Sequence, residues 1–225
     1  MKNETLRIFL GYDEREVMGF HVCVKSLIDT CSVPFSITPI SSAQRDGTNA
    51  FTYARFFVPE MCNFEGTAIF ADGSDMLFLD DISKIAHSAR ENECAVAVVK
   101  RKYITRASRK YIGTDMESAN ADYPRKNWSS LIVWDCGHPA NKPLTRHAVG
   151  LGNGNVHRFN WLHDTLIGEL PLRWNVLVGE DGEDESQPAM LHYTLGIPAF
   201  RAYREGDHAK RWLAEYERMV DGWQV

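Results

Sequence analysis

The sequence predicts an α/β protein with a mostly parallel central sheet covered by helices. Short runs of β-branched and aromatic residues alternate along the chain with segments whose apolar residues recur at helical spacing. Parallel sheets with right-handed crossovers are built from that alternation, and the loops that follow their strands meet at one edge. The 225 residues, 44% of them hydrophobic, suffice for one sizeable core. A single domain over residues 1–225 is therefore expected.

Each predicted element has a local signal. The strands are runs rich in β-branched and aromatic residues, a composition that favours extended backbone in a buried sheet. The helices carry apolar residues three or four positions apart, and Asp80 or Asp81 supplies an N-cap for the third of them. The predicted strands span residues 6–10, 35–40, 67–71, 95–99 and 129–134, and the predicted helices span residues 17–28, 53–61, 82–92 and 209–220.

A long polar segment, residues 103–126, separates the last two predicted strands. It is rich in charge and has little periodicity. A connection of this length indicates either a flap over a binding site or an extended surface loop, and the sequence leaves both open.

Bulk composition narrows the class of protein. The formal net charge of -5 argues against a general nucleic-acid binder, because the basic residues between Lys100 and Lys110 form only a local cluster. No apolar run approaches the roughly 20 residues that span a bilayer, and the first residues lack a signal-peptide pattern. We therefore expect no nucleic-acid partner, no integral membrane segment and a cytoplasmic location.

The most informative stretch joins a predicted strand to an acidic turn. The strand over residues 67–71 is followed by Asp72, by Gly73, which allows a sharp change of direction, and by Asp75. Open α/β sheets bind ligands beyond the carboxyl ends of their strands, where paired carboxylates suit Mg²⁺ or Mn²⁺ carrying a diphosphate. Asp, Gly and Ser also dominate ordinary turns, so an acidic surface loop is the structural alternative.

Five segments resemble, in order, the motifs of one enzyme family. Residues 8–13 are similar to its first strand and nucleotide-contacting turn, and residues 50–59 to its helix with a donor-contacting arginine. Residues 72–75 stand where the family has an Asp-x-Asp metal motif, here with two residues between the carboxylates. Residues 170–175 resemble a Leu-Pro-x-x-Trp/Tyr-Asn segment, and residues 191–198 a late histidine motif. The chain thus resembles the family 8 type of nucleotide-sugar glycosyltransferases, which includes glycogenin-like enzymes and bacterial lipopolysaccharide galactosyltransferases.

The resemblance implies a fold, an activity and a cofactor. The fold would be the Rossmann-like nucleotide-diphospho-sugar transferase architecture of the glycosyltransferase A type. The enzyme would move a hexose, with retention of its anomeric configuration, from a nucleoside-diphosphate sugar to a saccharide, glycan or other hydroxyl acceptor, with a UDP-sugar as the expected donor. Asp72, Asp75 and His192 would hold Mn²⁺ or Mg²⁺, which offsets the charge that develops on the departing diphosphate.

Five more residues receive roles through the same resemblance. Arg55 would pair with the diphosphate or orient an aspartate near the sugar, because a guanidinium forks onto oxygens. Tyr12 would stack on uracil, and Asp13 would accept hydrogen bonds from the base or ribose. Asp135 and Asp164, at the ends of predicted elements, would contact the sugar hydroxyls as catalytic residues. No carboxylate is clearly placed as a nucleophile, which favours a front-face route in which the departing diphosphate takes the acceptor proton.

Other interpretations remain open at this point. A sugar nucleotidyltransferase or hydrolase could use a similar sheet, although residues 11–16 are acidic where a nucleotidyltransferase has a glycine-rich basic loop. A non-catalytic nucleotide-sugar binding protein would keep the pocket if the altered spacing after Asp72 spoils the metal geometry. Taken singly, Arg55 could form a surface ion pair and His192 could be a structural histidine.

Overall fold

Strands and helices alternate along the computed structural model, which describes residues 5–42, 49–102, 104–150, 154–181 and 187–221. The strands are β1 (Leu6–Gly11), β2 (Phe35–Ile40), β3 (Thr67–Ala71), β4 (Met76–Phe78), β5 (Val96–Val98), β6 (Arg109–Lys110), β7 (Ser118–Ala119), β8 (Leu131–Asp135), β9 (Ile167–Glu169), β10 (Val176–Leu177) and β11 (Met190–His192). The α-helices are α1 (Val17–Thr30), α2 (Val58–Met61), α3 (Ser88–Glu91), α4 (Arg146–Gly150) and α5 (Ala209–Asp221), and short 3₁₀ turns join several elements.

Six strands form the central sheet, in the order β2-β1-β3-β8-β5-β9. β1 pairs in parallel with both β2 and β3, and β5 pairs in parallel with β9. β8 runs antiparallel to its two neighbours, β3 and β5. The predicted α/β class with a mostly parallel sheet is therefore confirmed, with one reversed strand inside the sheet.

The reversed strand β8 is an exception to the expectation that the loops after the strands meet at one edge of the sheet. Asp135 ends β8 opposite Thr67, at the start of β3, whereas Asp72 follows the end of β3. Five residue steps along β3 separate them by about 16 Å in the strand direction. Asp135 thus lies at the opposite edge of the sheet from the acidic turn. The composition of a fully buried strand carries no sign of its direction, so the pattern alone could not reveal the reversal.

A second, three-stranded sheet has the order β10-β11-β4. β11 pairs in parallel with β10 and antiparallel with β4. The chain passes from β3 in the large sheet to β4 in the small sheet through residues 72–75. The acidic turn predicted from the sequence is therefore the link between the two sheets.

Helices cover the sheets and complete the core. α1 and α5 have close to their predicted bounds, and α5 buries Trp212 beside Val22 of α1 and Leu191 of β11. The helix predicted over residues 82–92 is instead a 3₁₀ turn followed by α3, and Asp81 caps that turn by accepting a hydrogen bond from the Ser83 backbone N–H. Within the described ranges, each helix is too short or too polar to cross a bilayer.

Two glycines allow the backbone to approach closely around the acidic turn. Gly73 has φ +79°, in the left-handed region that favours glycine. A β-carbon added to Gly19 of α1 would lie 1.9 Å from the Ser74 carbonyl oxygen. The first turns of α1 are therefore packed directly onto the backbone of the turn.

We expect Gly19→Ala to lower the free energy of unfolding by about 1–3 kcal/mol, because the new methyl group meets backbone atoms that cannot rotate away. This loss outweighs the gain in helix propensity, which is at most about 1 kcal/mol. Urea unfolding measures the difference. Met18→Ala, at a 38% exposed position of the same helix, is the control and should change stability by no more than about 0.5 kcal/mol. An equally small effect at Gly19 would contradict the close approach.

Candidate metal centre and ligand pocket

Three buried ionisable side chains meet where the two sheets join. Asp72 follows β3, Asp75 precedes β4 and His192 ends β11. The three are 8%, 6% and 2% exposed, and one ligand atom from each lies within 4.8 Å of the others. His192 Nε2 lies 3.1 Å from Asp75 Oδ2 and 4.0 Å from Asp72 Oδ2. The side chains predicted from the sequence as metal ligands are therefore brought together.

Strand register brings the histidine to the turn. In the antiparallel pair of β11 and β4, His192 is opposite Met76, the residue after Asp75. The backbone N–H of Tyr193 then donates to the Asp75 carbonyl oxygen at 2.8 Å. One short pairing of strands thus brings together His192 and Asp75, which are 117 positions apart in the sequence.

Asn175 fixes the orientation of the imidazole. Its Oδ1 lies 2.9 Å from His192 Nδ1, while its Nδ2 donates to the Asn127 carbonyl oxygen at 3.1 Å. With the amide oriented to satisfy both contacts, Nδ1 is the donor, and Nε2 faces the two carboxylates. A ligating histidine held through its second nitrogen in this way is typical of metal sites.

Arg55 is a buried neighbour of the same group. Its Nη1 lies 2.6 Å from Asp72 Oδ1. The guanidinium also donates from Nη1 to the Ser129 carbonyl oxygen at 2.8 Å and from Nε to the Thr52 carbonyl oxygen at 3.0 Å. At 5% exposure Arg55 is part of the site's interior, so the surface ion pair considered as an alternative is wrong.

The three ligand candidates shift one another's pKa values. Burial raises the pKa of Asp72 above its usual value, against the lowering effect of Arg55. Burial also acts to raise the pKa of Asp75, but the charge and hydrogen bond of His192 outweigh it and the pKa is lowered. For His192, burial acts to lower the pKa, but Asp75 and Asp72 raise it above its usual value. The carboxylates of Asp72 and Asp75 therefore need a positively charged partner.

The donor set fits a divalent metal ion. Neighbouring ligands of an octahedral ion at about 2.1 Å lie roughly 3 Å apart, close to the distances of 3.1 Å and 4.0 Å from the imidazole to the carboxylates. Asp75 Oδ1 is buried and has no hydrogen-bond partner within the described part of the chain. Asp72, Asp75 and His192 could therefore hold a metal ion, and carboxylate with imidazole ligands suits several divalent ions.

A cavity of about 450 Å³ adjoins this group. One wall contains Arg55, the metal-site residues and Ser130. The other wall comes from the long polar segment, through Lys110, Tyr111, Asn120, Tyr123 and Lys126. The part of the segment between residues 110 and 126 therefore lies over the cavity, as the first of the two predictions expects. Tyr103 lies outside the described residues.

Tyr12 and Asp13 do not line this cavity. The ring of Tyr12 packs edge-on against Phe20, with 5.2 Å between the centroids. Asp13 is fully buried, and its carboxylate accepts hydrogen bonds from the backbone and side chain of Arg15 and from the backbone N–H of Ala50. Their contacts with the base and ribose stay predictions.

Asp135 and Asp164 are not brought to the metal-site group. Asp135 Oδ1 accepts from Arg90 Nη2 at 2.9 Å, at the far edge of the sheet. The Asp164 side chain is 78% exposed, forms an ion pair with Arg125 and stands just before β9. Their catalytic roles also stay predictions.

Sequence reasoning gave no role to several residues around the site. Asn175 lay inside a motif, but its contact with His192 depends on how β10 and β11 pair. Lys110, Lys126 and Asn120 lay in the polar segment, whose path over the cavity no periodicity indicates. For these three residues, the only indication in the sequence was the excess of basic residues in the polar segment.

Comparison with known sequences finds a plant relative. The chain is 35% identical over 233 residues to Protein CDI from Arabidopsis thaliana, across 96% of this chain and 88% of that protein. No family model matches the chain.

Comparison with solved structures identifies the fold. The apo-form glycosyltransferase GlyE of Streptococcus pneumoniae TIGR4 superposes with a TM-score of 0.62 and 14% identity over 98% of this chain. The chain spans 63% of the length of that structure. A glycosyltransferase involved in glycosylation of the major capsid of PBCV-1 gives a TM-score of 0.51 and 10% identity over 94% of this chain and 99% of that one. These likenesses show that the fold resembles that of A-type glycosyltransferases.

We expect Asp13→Asn to destabilise the protein at neutral pH. Burial acts to raise the pKa of Asp13, but hydrogen bonds from Arg15 and Ala50 lower it to about 2, from 3.8. A lowered folded-state pKa stabilises the fold above about pH 4, and the contribution of about 2 kcal/mol is lost as the pH falls toward 2. Urea unfolding of both proteins between pH 3 and 7 should show the gap narrowing below pH 4. Asp29→Asn, at an exposed position of α1, is the control, and a gap independent of pH would contradict the assignment.

A divalent cation should bind at the Asp72, Asp75 and His192 group and stabilise the fold. At a free concentration 100 times the dissociation constant, the gain in unfolding free energy is about 2.7 kcal/mol. Thermal unfolding with and without Mn²⁺, and Mn²⁺ titration followed by electron paramagnetic resonance, measure it. Asp75→Asn should weaken binding by about tenfold or more and Asn175→Ala by about tenfold, whereas Asp29→Asn should bind like the wild type. Equal affinity in all four proteins would rule out this site.

Proposed function

The chain belongs to the same family as Protein CDI from Arabidopsis thaliana, and we propose that it is a metal-dependent glycosyltransferase. It would move a hexose from a UDP-sugar to a hydroxyl of a saccharide or glycan, with retention of anomeric configuration, as an enzyme of the family 8 type. One observation carries the proposal. The buried Asp72, Asp75 and His192 group adjoins a cavity in a fold that resembles those of glycosyltransferases.

The difficulty in this reaction is the departure of a nucleoside diphosphate from the anomeric carbon, because negative charge builds up on the bridging oxygen as the bond breaks. When bound, Mn²⁺ or Mg²⁺ supplies positive charge that stabilises the leaving diphosphate. Asp72, Asp75 and His192 would hold the ion.

The chain's own residues prepare the site for that charge. Asn175 holds the His192 ring so that Nε2 faces the carboxylates. Arg55 occupies one oxygen of Asp72 and leaves the other toward the imidazole. Because these groups are already buried and oriented, they need little rearrangement when the donor binds.

Retention without a protein nucleophile is part of the proposal. The carboxylates nearest the cavity, Asp72 and Asp75, are engaged with Arg55 and His192, which leaves neither suited to attack the sugar. A front-face route, in which the departing diphosphate takes the proton from the acceptor hydroxyl, needs no such residue.

Incubation with Mn²⁺ and a panel of UDP-sugars tests the activity. We expect slow release of UDP by donor hydrolysis, faster release with a suitable acceptor saccharide, and no release after chelation. Asp75→Asn should lower the rate by about 10²-fold or more, the scale of losing one electrostatic contact to the developing charge. Asp29→Asn should leave it unchanged.

Other outcomes would identify the alternative functions. Tight binding of a UDP-sugar without turnover would indicate a binding protein. Release of sugar 1-phosphate in place of UDP would indicate a sugar-nucleotide hydrolase or nucleotidyltransferase. A product of inverted anomeric configuration, measured by nuclear magnetic resonance, would contradict retention.

A further inference from the structure

The cavity beside the metal centre has the opposite charge from the protein as a whole. The chain has a formal net charge of -5. The charged residues lining the cavity, with histidine neutral, are two acidic and four basic ones: Asp72, Asp75, Arg55, Lys110, Lys126 and Arg158. A divalent cation on the carboxylates would enlarge this positive excess. A concave surface with such an excess favours a ligand with several negative charges.

Lys126 is held in the cavity wall by hydrogen bonds to two neutral acceptors. Its Nζ donates to Asn120 Oδ1 at 2.6 Å and to the Ala121 carbonyl oxygen at 2.9 Å. Asn120 is 9% exposed, and its Nδ2 donates to Glu180 Oε1 at 2.8 Å. The result is a relay of carboxylate, amide and ammonium that fixes where the ammonium lies.

Glu180 anchors the relay to the small sheet. It is 3% exposed and follows β10, which pairs with the strand that carries His192. Its carboxylate also accepts from the backbone N–H of Arg106 at 2.7 Å and of Ala107 at 3.4 Å. One buried carboxylate thus ties the cavity wall to the sheet that carries the imidazole.

Lys110 supplies a second cation from the same wall. Burial lowers the pKa of Lys126, and the neighbouring charge of Lys110 adds to this effect, against the raising effects of Asp122 and Glu180. Neither ammonium forms an ion pair with a carboxylate within the described ranges of the chain. The like charges of Lys110 and Lys126 repel each other. An anion that binds both ammonium groups would offset this repulsion.

We propose that Lys110 and Lys126 bind the diphosphate of a nucleoside-diphosphate ligand, and that Asn120 and Glu180 are positioning residues for Lys126. The inference rests on the proposed function and specifies its donor site. A nucleoside diphosphate gains negative charge when its bond to the sugar breaks. The two ammonium groups therefore stabilise the departing diphosphate more than the intact donor.

Isothermal titration with inorganic pyrophosphate and with UDP, both at saturating Mn²⁺, tests the proposal. Lys110→Met and Lys126→Met should each weaken both ligands by about tenfold or more, the scale of a lost charge-assisted hydrogen bond. Lys142→Met, an exposed lysine outside the cavity, is the matched control and should bind like the wild type. Affinity for Mn²⁺ alone should not fall in any of the three variants.

A double-mutant cycle tests the relay. Asn120→Ala and Glu180→Gln should weaken pyrophosphate binding by several-fold, but neither should weaken it further once Lys126→Met is present, because both act through that ammonium. A purely structural role would instead give additive losses and a lower affinity for Mn²⁺ alone. Additive losses would overturn the positioning role.

The two proposals fail in different ways. Unchanged pyrophosphate and UDP affinities in Lys110→Met and Lys126→Met would overturn the diphosphate site, as would a loss for pyrophosphate with none for UDP. Lysine-dependent binding of both ligands without any sugar transfer would support the diphosphate site and reject the transferase.

Discussion

Two carboxylates buried side by side repel each other, and the arrangement of this site depends on how that repulsion is offset. Asp72 is paired with Arg55, and Asp75 is paired with His192. Each partner is itself buried and oriented, Arg55 by backbone carbonyls and His192 by Asn175. Removing either partner would leave a buried charge uncompensated, which is among the most costly changes inside a protein.

Local chemistry made much of the fold predictable. The strands over residues 35–40 and 67–71 have their predicted bounds, because a β-branched, aromatic run between turn residues favours one conformation. α1 and α5 follow from apolar spacing in the same way. The direction of β8 was not predictable, since it depends on how the preceding segment returns across the sheet, and that placed Asp135 at the far edge.

The candidate metal ligands could be predicted from the sequence because their motifs are short and contiguous. Asp72 and Asp75 flank one turn, and His192 lies in a recognisable late motif. Asn175 and Lys126 contribute through contacts made across strands or along a long irregular segment, at separations of 17 residues and 6 residues from their partners. Contacts of that kind are set by tertiary packing, which single-sequence patterns do not encode.

The acidic turn has a mechanical consequence as well as a chemical one. It connects the six-stranded sheet to the three-stranded sheet, with Asp72 at the end of β3 and His192 at the end of β11. An ion held by both residues would act as a cross-link between two separately hydrogen-bonded layers. Binding of the ion would then stiffen the contact between the two sheets, and its release would loosen that contact. The rigidity of the scaffold would therefore depend on whether the ion is bound.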